Sequence, residues 1–455
     1  MTERGGEPGA TRRGFLTRAA GLAAAGAALG ADAGTRALAA TDARASPEVA
    51  APIEPFWGRN QSGIVTAAQG HTYFAALDLT TTKRDDVVQL LRAWTNAAAR
   101  LTSGKPIAPF AKTELAYNYG TTTTTTVTTS SDEPTPTTVS LPDSGEAEGL
   151  APARLTVTFG FGAGLFEKEG KDRYGLAKHR PEALIDLPRF AGDELASERT
   201  DGDLSIQACA DDAQVAFHAV RQLVRLADDL AQVRWAQTGF MPNFGTGRTP
   251  RNLMGFKDGT NNPSIGDAAA MEKFVWVGGE GPGWMQGGSY LVVRRIRIAL
   301  EHWDRSKIDF QEDTFGRHKA TGAPIGKENE NDPLDLDATG KDGDYLIAEN
   351  AHVRLAAAAS NDGAQILRRP YSYNDGVNFT AERWPPWRQG MEYDAGLFFI
   401  CYQRDPRTGF VKVFEKMAKL DMLNQFVTHV GGGLFACPGG VAEGEFIGQR
   451  LFDAA

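Results

Sequence analysis

The sequence predicts an α+β protein made of two tandem ferredoxin-like units, each with the element order β-α-β-β-α-β. Two observations predict this fold class. Segments with the alternating or continuous apolar pattern of strands flank segments whose apolar residues have helical spacing, and the arrangement recurs in the second half of the chain. The chain has 455 residues, of which 42% are hydrophobic, so it can form a large apolar core.

The first unit is predicted to cover residues 71–240. Its segments follow the ferredoxin-like order, with strands at residues 71–79, 155–162, 204–210 and 232–238 and helices at residues 84–101 and 211–230. Asp211 and Asp212 are suited to cap the second helix. A tract rich in Thr, Ser and Pro at residues 113–141 cannot contribute to a core, so its composition predicts an exposed loop.

The second unit is predicted to cover residues 241–455. Its recognisable segments are two strands, an amphipathic stretch and a helix, at residues 289–300, 396–403, 301–315 and 409–420. A long irregular segment at residues 317–395 interrupts this unit. Long loops on a rigid sheet often carry binding and catalytic residues, so we expect the functional site in this half of the chain.

The N-terminal 39 residues have the pattern of a twin-arginine (Tat) export signal. Arg12 and Arg13 precede a stretch of Ala, Gly and Leu, and Ala37-Leu38-Ala39 offers a cleavage site of small residues. The apolar stretch is shorter than the roughly 20 residues that a membrane-spanning helix needs. We therefore expect a periplasmic or extracellular protein without a membrane span, in which residues 40–70 form an N-terminal linker and arm.

Charge and cysteine content exclude several classes of function. The net charge is -9 and the pI is about 5.4, so no basic surface for nucleic acid is expected. The three cysteines are odd in number and widely spaced, which argues against a disulfide framework or a C-x-x-C metal site. Cys209 and Cys401 lie in apolar, strand-like runs and are expected to be buried.

Three polar segments are candidates for chemistry. Asp258 and Gly259 begin a tight polar turn in the sequence NLMGFKDGTNNP, and such a turn can bring backbone N–H groups close to a flat or anionic ligand. No pair among the seven histidines has the H-E-x-x-H spacing of a zinc site, but one histidine such as His352 suffices as the axial ligand of a haem. Arg368 and Arg369 end an apolar run.

These segments, taken in order, carry a family resemblance. The motifs GFKDGT, HVRLA, ILRRPYSY and LFFICYQRD resemble the dye-decolourising (DyP-type) haem peroxidase family, in particular its Tat-exported deferrochelatase/peroxidase subgroup. The resemblance implies a DyP-type antiparallel sheet sandwich or barrel with peripheral helices. It also implies one non-covalent haem b (iron protoporphyrin IX) per chain and an enzyme that reduces hydrogen peroxide through a ferryl intermediate while oxidising small phenolic or dye-like reductants.

The resemblance also assigns site residues. His352 would be the proximal iron ligand, Asp258 the distal acid–base residue and Arg368 the distal arginine. The remaining cofactor-binding residues that it implies, either along the haem or beside its ligand and propionates, are Gly259, Thr260, Asn261, Asn262, Arg354 and Asp405. Asp405 would accept a hydrogen bond from His352 and so orient it.

One departure from the family pattern concerns the haem propionates. The Asn-Pro-Arg that follows H-x-R-L-A in the family is replaced here by three alanines, at residues 357–359, so a basic partner is missing at that place. Arg354, Arg317 and Lys319 are the candidates to compensate for it.

Several alternatives stay open at the level of sequence. The same pocket would serve a deferrochelatase that releases iron from haem, or a non-catalytic haem-binding accessory protein of an iron-uptake system, although the Asp258–Arg368 pair argues against a mere carrier. Homo-oligomerisation is also undecided. Four aromatic residues lie near Arg368 in the sequence, namely Tyr371, Tyr373, Trp384 and Trp387. They would either relay electrons to bulky dyes or serve only as packing residues.

Overall fold

The computed structural model describes residues 52–108, 142–242, 248–378 and 392–455. The predicted export signal at residues 1–39, the start of the arm, the Thr-rich tract at residues 113–141, Trp384 and Trp387 lie outside the described residues. No helix in the described ranges is long and apolar enough to cross a membrane.

The first half of the chain forms a four-stranded antiparallel sheet with its helices alongside. The strands are β1 (His71–Leu79), β2 (Thr156–Gly162), β3 (Leu204–Ala210) and β4 (Ala231–Phe240), and the helices are α1 (Arg84–Thr102), α2 (Ala163–Phe166) and α3 (Ala213–Leu226). The strand order is β2-β3-β1-β4, as expected of a ferredoxin-like unit. Asp212 caps α3 by accepting hydrogen bonds from the N–H groups of Gln214 and Val215, as predicted for the Asp211–Asp212 pair.

The second half repeats this sheet. Its strands are β5 (Ser289–Ile298), β6 (Leu367–Arg368), β7 (Tyr371–Asn378), β8 (Glu392–Gln403) and β9 (Val427–Cys437). Its helices are α4 (Ala268–Phe274), α5 (Leu300–Trp303), α6 (Ile308–Phe315), α7 (His352–Ala356), α8 (Phe410–Leu420) and α9 (Gln449–Ala454). The four long strands have the order β9-β5-β8-β7, which is the same topology as in the first half.

The two sheets close into one antiparallel barrel. Phe161 of β2 pairs with Ala436 of β9, and Phe240 of β4 pairs with Ser372 of β7, so eight strands form a continuous ring. The short strand β6 pairs with β8 in addition. The fold prediction is therefore confirmed in its barrel form. Inward side chains fill the barrel: the ring of Phe74 lies 5.0 Å from that of Trp235 and 5.6 Å from that of Phe398.

Two of the four long strands of the second sheet were not predicted from the sequence. Strand β7 contains Asn374, Asp375 and Gly376, and β9 contains three consecutive glycines at residues 431–433, all types that are depleted in strands. Pairing with β8 and β5 overrides these local preferences, because the backbone of each strand is fixed by a neighbour that is itself strongly strand-forming. The three cysteines are buried with free thiols, as predicted for Cys209 and Cys401.

Candidate active site

A cavity of about 1160 Å³ lies on the outer face of the second sheet. Side chains alternate along a strand, so Phe398 and Ile400 of β8 point into the barrel core while Leu397 and Phe399 line the cavity. Helix α8, helix α7 and the irregular segments predicted to carry function form the remaining walls. The cavity thus has an apolar floor given by a rigid sheet and polar walls given by loops.

One wall presents a single imidazole supported by a buried carboxylate. His352 is the first residue of α7, and its Nδ1 donates a hydrogen bond to Oδ2 of Asp421 at 2.7 Å. Asp421 follows the last turn of α8, and its side chain is only 3% exposed. The N–H of Leu423 holds this carboxylate by donating to Oδ1 at 2.9 Å. Because Nδ1 is taken by Asp421, Nε2 is the nitrogen of His352 that can bind a ligand in the cavity.

The Asp421 carboxylate makes this imidazole more basic. Burial alone would lower the pKa of His352, but the negative charge and hydrogen bond of Asp421 outweigh burial and raise that pKa. A histidine whose second nitrogen donates to a carboxylate is a stronger electron donor to a metal than a histidine bound to a neutral acceptor.

The prediction that Asp405 orients His352 was wrong. The carboxylate of Asp405 instead accepts from Nη2 of Arg407 at 2.8 Å and from the N–H of the same residue at 2.8 Å, within its own surface turn. Asp421 takes the predicted role, and it lies 69 positions from His352 in the sequence. Asp421 also caps the short helical turn at Met422–Gln425, and an aspartate at the start of a helical turn is so common that no local signal marked it as functional.

Another wall of the cavity presents an ion pair. Nη1 of Arg368 donates to Oδ1 of Asp258 at 2.5 Å, and both side chains are partly exposed to the cavity. Asn262 fixes this pair through the main chain, since its Nδ2 donates to the carbonyl of Arg368 at 2.9 Å and its Oδ1 accepts from the N–H of Arg368 at 2.8 Å. The polar turn that begins at Asp258 is thereby tied to β6.

The turn itself lines the cavity along its whole length. Gly259 has a φ of +126°, a conformation that side-chain-bearing residues rarely adopt. Thr260 donates from its hydroxyl to Oε1 of Glu330 at 3.0 Å, while Asn261 contributes a further part of the same wall. The structure therefore gathers all the predicted residues of the turn, together with His352, Arg354 and Arg368, around one cavity.

Of the three basic residues considered for haem propionates, Arg317 fits best. Nε and Nη2 of Arg354 donate to the carbonyls of Ile347 and Leu336, and Lys319 donates to Gln311 away from the cavity. Arg317 lines the cavity, and its Nη2 is buried with no partner among the described residues. Burial, only partly offset by Glu330, lowers the pKa of Arg317, so an anionic group beside it would satisfy both the unpaired donor and the buried charge.

These features fit a haem. The cavity offers an apolar floor for a flat macrocycle, one carboxylate-supported imidazole for the iron, a carboxylate–guanidinium pair on another wall, and an unpaired buried guanidinium for an acidic substituent. Among the described residues there is no cluster of three or more His, Cys, Asp or Glu side chains placed to hold a metal ion by themselves. Fold and site together define a haem-dependent peroxidase.

Comparisons with known proteins agree with this class. Residues 61–241 match the family description "Dyp-type peroxidase, N-terminal" and residues 249–442 match "Dyp-type peroxidase, C-terminal". The chain is 37% identical to the dye-decolorizing peroxidase of Thermobifida fusca (strain YX), over 98% of each chain. It is 34% identical to the deferrochelatase of Escherichia coli (strain K12), over 89% of each chain. The chain belongs to the Dyp-type peroxidase family.

A solved structure shows the same architecture. Ferric DtpA from Streptomyces lividans superposes with a TM-score of 0.75 at 39% sequence identity, covering 90% of this chain and 100% of DtpA.

The two tyrosines named as electron-relay candidates are not on the surface. Tyr371 is 1% exposed and Tyr373 is 0% exposed, and both belong to the aromatic core of the barrel. Their packing role is therefore evident from the structure. A relay to bulky dyes would need residues beyond these two to reach the surface.

Replacing Asp421 with asparagine tests the support of His352. The amide keeps the shape but loses the charge, so we expect haem-dependent activity to fall about 10- to 100-fold and the reduction potential of the iron to rise. Turnover and a spectroelectrochemical titration of the holoprotein would measure both effects. The matched control is Asp405→Asn, which should leave both quantities unchanged; equal effects in the two variants would contradict the assignment of Asp421.

Proposed function

We propose that this chain is a haem b peroxidase that reduces hydrogen peroxide and oxidises a small organic reductant. Asp258 and Arg368 are its catalytic residues, and His352 is the ligand of the haem iron. The observation that carries the proposal is the ion pair between Asp258 and Arg368, which faces the same cavity as the His352–Asp421 pair. A protein that only carried haem would have no use for an acid–base group beside a fixed positive charge.

The distal residues divide the chemistry of peroxide between them. Asp258 accepts a proton from one oxygen of hydrogen peroxide and returns it to the other oxygen, which leaves as water. Arg368 stabilises the negative charge that develops on the departing oxygen, because a guanidinium is a positively charged hydrogen-bond donor. Asn262 keeps Arg368 positioned beside Asp258 because its side-chain amide bonds both the N–H and the carbonyl of Arg368. A haem held by His352 would supply the iron at which this redox chemistry takes place.

The absorption spectrum of the purified holoprotein tests this proposal. One equivalent of hydrogen peroxide should produce a new, defined spectrum within seconds, and a phenolic reductant should return the original spectrum. Progressive bleaching without a defined intermediate spectrum would indicate a haem carrier and would refute the peroxidase mechanism for this chain.

Release of iron from haem is the second candidate activity. The relative from Escherichia coli (strain K12) is named a deferrochelatase, and the same cavity would serve that reaction. Incubation with haem in the absence of peroxide separates the two activities. Metal-free porphyrin, detected by its fluorescence, would support deferrochelation, whereas unchanged haem together with peroxide-dependent dye oxidation would support the peroxidase.

We also propose export through the Tat pathway to the periplasm or the cell exterior, on the basis of Arg12, Arg13 and the small residues at 37–39. A chain with both arginines replaced by lysine should stay in the cytoplasm when cells are fractionated. Export that persisted in this variant would refute the assignment.

A further inference from the structure

A second polar cluster lies behind the aromatic wall of the cavity. Arg294 of β5 is 1% exposed, and its Nη1 donates to Oδ2 of Asp193 at 3.3 Å. The guanidinium lies 5.4 Å from the ring centre of Phe190 and 5.7 Å from that of Phe410. His429 of β9 belongs to the same cluster, because the charge of Arg294 acts on its imidazole and its carbonyl accepts from Glu194, the neighbour of Asp193; it also lines the cavity. None of these charged or imidazole groups takes part in the peroxide chemistry described above.

Four polar atoms of this cluster have no partner within the described part of the chain. They are Nε and Nη2 of Arg294, Oδ1 of Asp193 and Nδ1 of His429. Burial, reinforced by the charge of Arg294, lowers the pKa of His429 to about 3, so its imidazole is neutral. Buried polar atoms without protein partners are normally satisfied by ordered water, which needs two to four such partners. Both donors and acceptors are present here, as water requires.

The cluster lies between the cavity wall and a turn at the protein surface. At the cavity end, the ring of His429 lies 4.6 Å from that of Phe414, and both residues form part of the cavity wall. At the other end, Asp193 lies in a turn whose neighbours Ala191, Gly192 and Glu194 are exposed. The N–H of Glu194 donates to the carbonyl of His429 at 3.0 Å, which fixes this turn against β9.

We propose that His429, Arg294 and Asp193 hold ordered water and form a proton path from the surface turn at residues 191–194 to the cavity. A neutral imidazole can accept a proton at one ring nitrogen and release the proton of the other, so His429 passes protons without remaining charged. The positive charge of Arg294 keeps the imidazole neutral between transfers, and Asp193 balances that charge inside the protein.

The path matters when the reductant brings no proton of its own. The inference rests on the proposed peroxidase function, in which two electrons and two protons convert one hydrogen peroxide into two waters. Two ferrocyanide ions supply the electrons and become ferricyanide, but both protons must then come from solvent. Hydroquinone becomes benzoquinone and supplies two electrons together with two protons.

This difference between reductants gives a direct test on the holoenzyme. His429→Phe keeps the aromatic contact with Phe414 but cannot carry a proton. We expect turnover with ferrocyanide to fall at least about tenfold, with a larger solvent deuterium isotope effect, while turnover with hydroquinone falls much less. Asp193→Asn, which preserves shape and packing, should give the same pattern if His429→Phe folds poorly. Haem absorption and thermal unfolding of each variant report whether the site remains intact.

Two measurements can overturn the proposed proton path. Unchanged ferrocyanide turnover in both variants, or an equal loss with both reductants, would overturn the proton path. A high-resolution crystal structure of the holoenzyme should show water between Arg294, Asp193 and Nδ1 of His429, and a dry cluster would also overturn it. If the unsubstituted protein oxidises neither reductant with peroxide, it is the proposed peroxidase function that fails.

Discussion

Replacing Asp258 with asparagine is expected to slow the reaction with hydrogen peroxide by about 10²- to 10⁴-fold while haem stays bound. The amide has the shape of the carboxylate and can still accept from Arg368, but it cannot take a proton from peroxide. Binding of haem should survive because His352 and Asp421 lie on another wall of the cavity. Stopped-flow absorption after mixing with peroxide would measure the rate.

Asp335→Asn is the matched control for this substitution. Asp335 also lines the cavity, but its nearest cation is Lys327 at 3.4 Å and its side chain is 46% exposed. Loss of a carboxylate there changes the cavity charge by the same amount without touching the Asp258–Arg368 pair. A similar slowing in both variants would show that overall charge, and not proton transfer by Asp258, controls the rate.

Replacing His352 with alanine is expected to remove stable haem binding, with a loss of affinity above about 100-fold. Even a carboxylate that only supports a metal-bound histidine contributes a factor of about 10 to 100, so the ligand itself must contribute more. The purified variant should lack the haem absorption band when expressed with ample haem. Addition of imidazole should partly restore the band, because the cavity left by the side chain accepts the free base.

His318→Ala controls for the removal of a histidine as such. Nδ1 of His318 contacts Oε2 of Glu312 at 2.8 Å, so this pair has the same chemistry as His352 and Asp421 but does not line the cavity. The His318→Ala variant should retain haem fully. An unaltered haem spectrum in His352→Ala would refute the ligand assignment outright.

The topology was largely predictable because its strongest elements have clear apolar periods. Strands β1 and β3 and helix α8 lie within a residue or two of the predicted bounds. Strands β7 and β9 were missed because Asn374, Asp375 and the glycines at 431–433 are held by long-range pairing, which no local pattern contains.

The site shows the same division between local and non-local information. The motifs around Asp258, His352 and Arg368 identified the family, and the structure brings these three residues to one cavity. The sequence pattern favoured Asp405 over Asp421 because a contact across 69 positions has no spacing signature. Arg317 differs from Arg354 and Lys319 by its buried, unpaired Nη2, which depends on tertiary packing and has no sequence signal.

Asn262 bonds the backbone N–H and carbonyl of Arg368 and not its guanidinium. Position 368 is therefore a suitable site for redesign. A different head group can be installed there without releasing the neighbouring loop, because the anchor does not depend on the identity of the side chain. Substitution of Arg368 by lysine or glutamine would compare hydrogen-bond donors of different charge and length on an unchanged backbone. The barrel is therefore a suitable scaffold for changing which oxidants the site accepts.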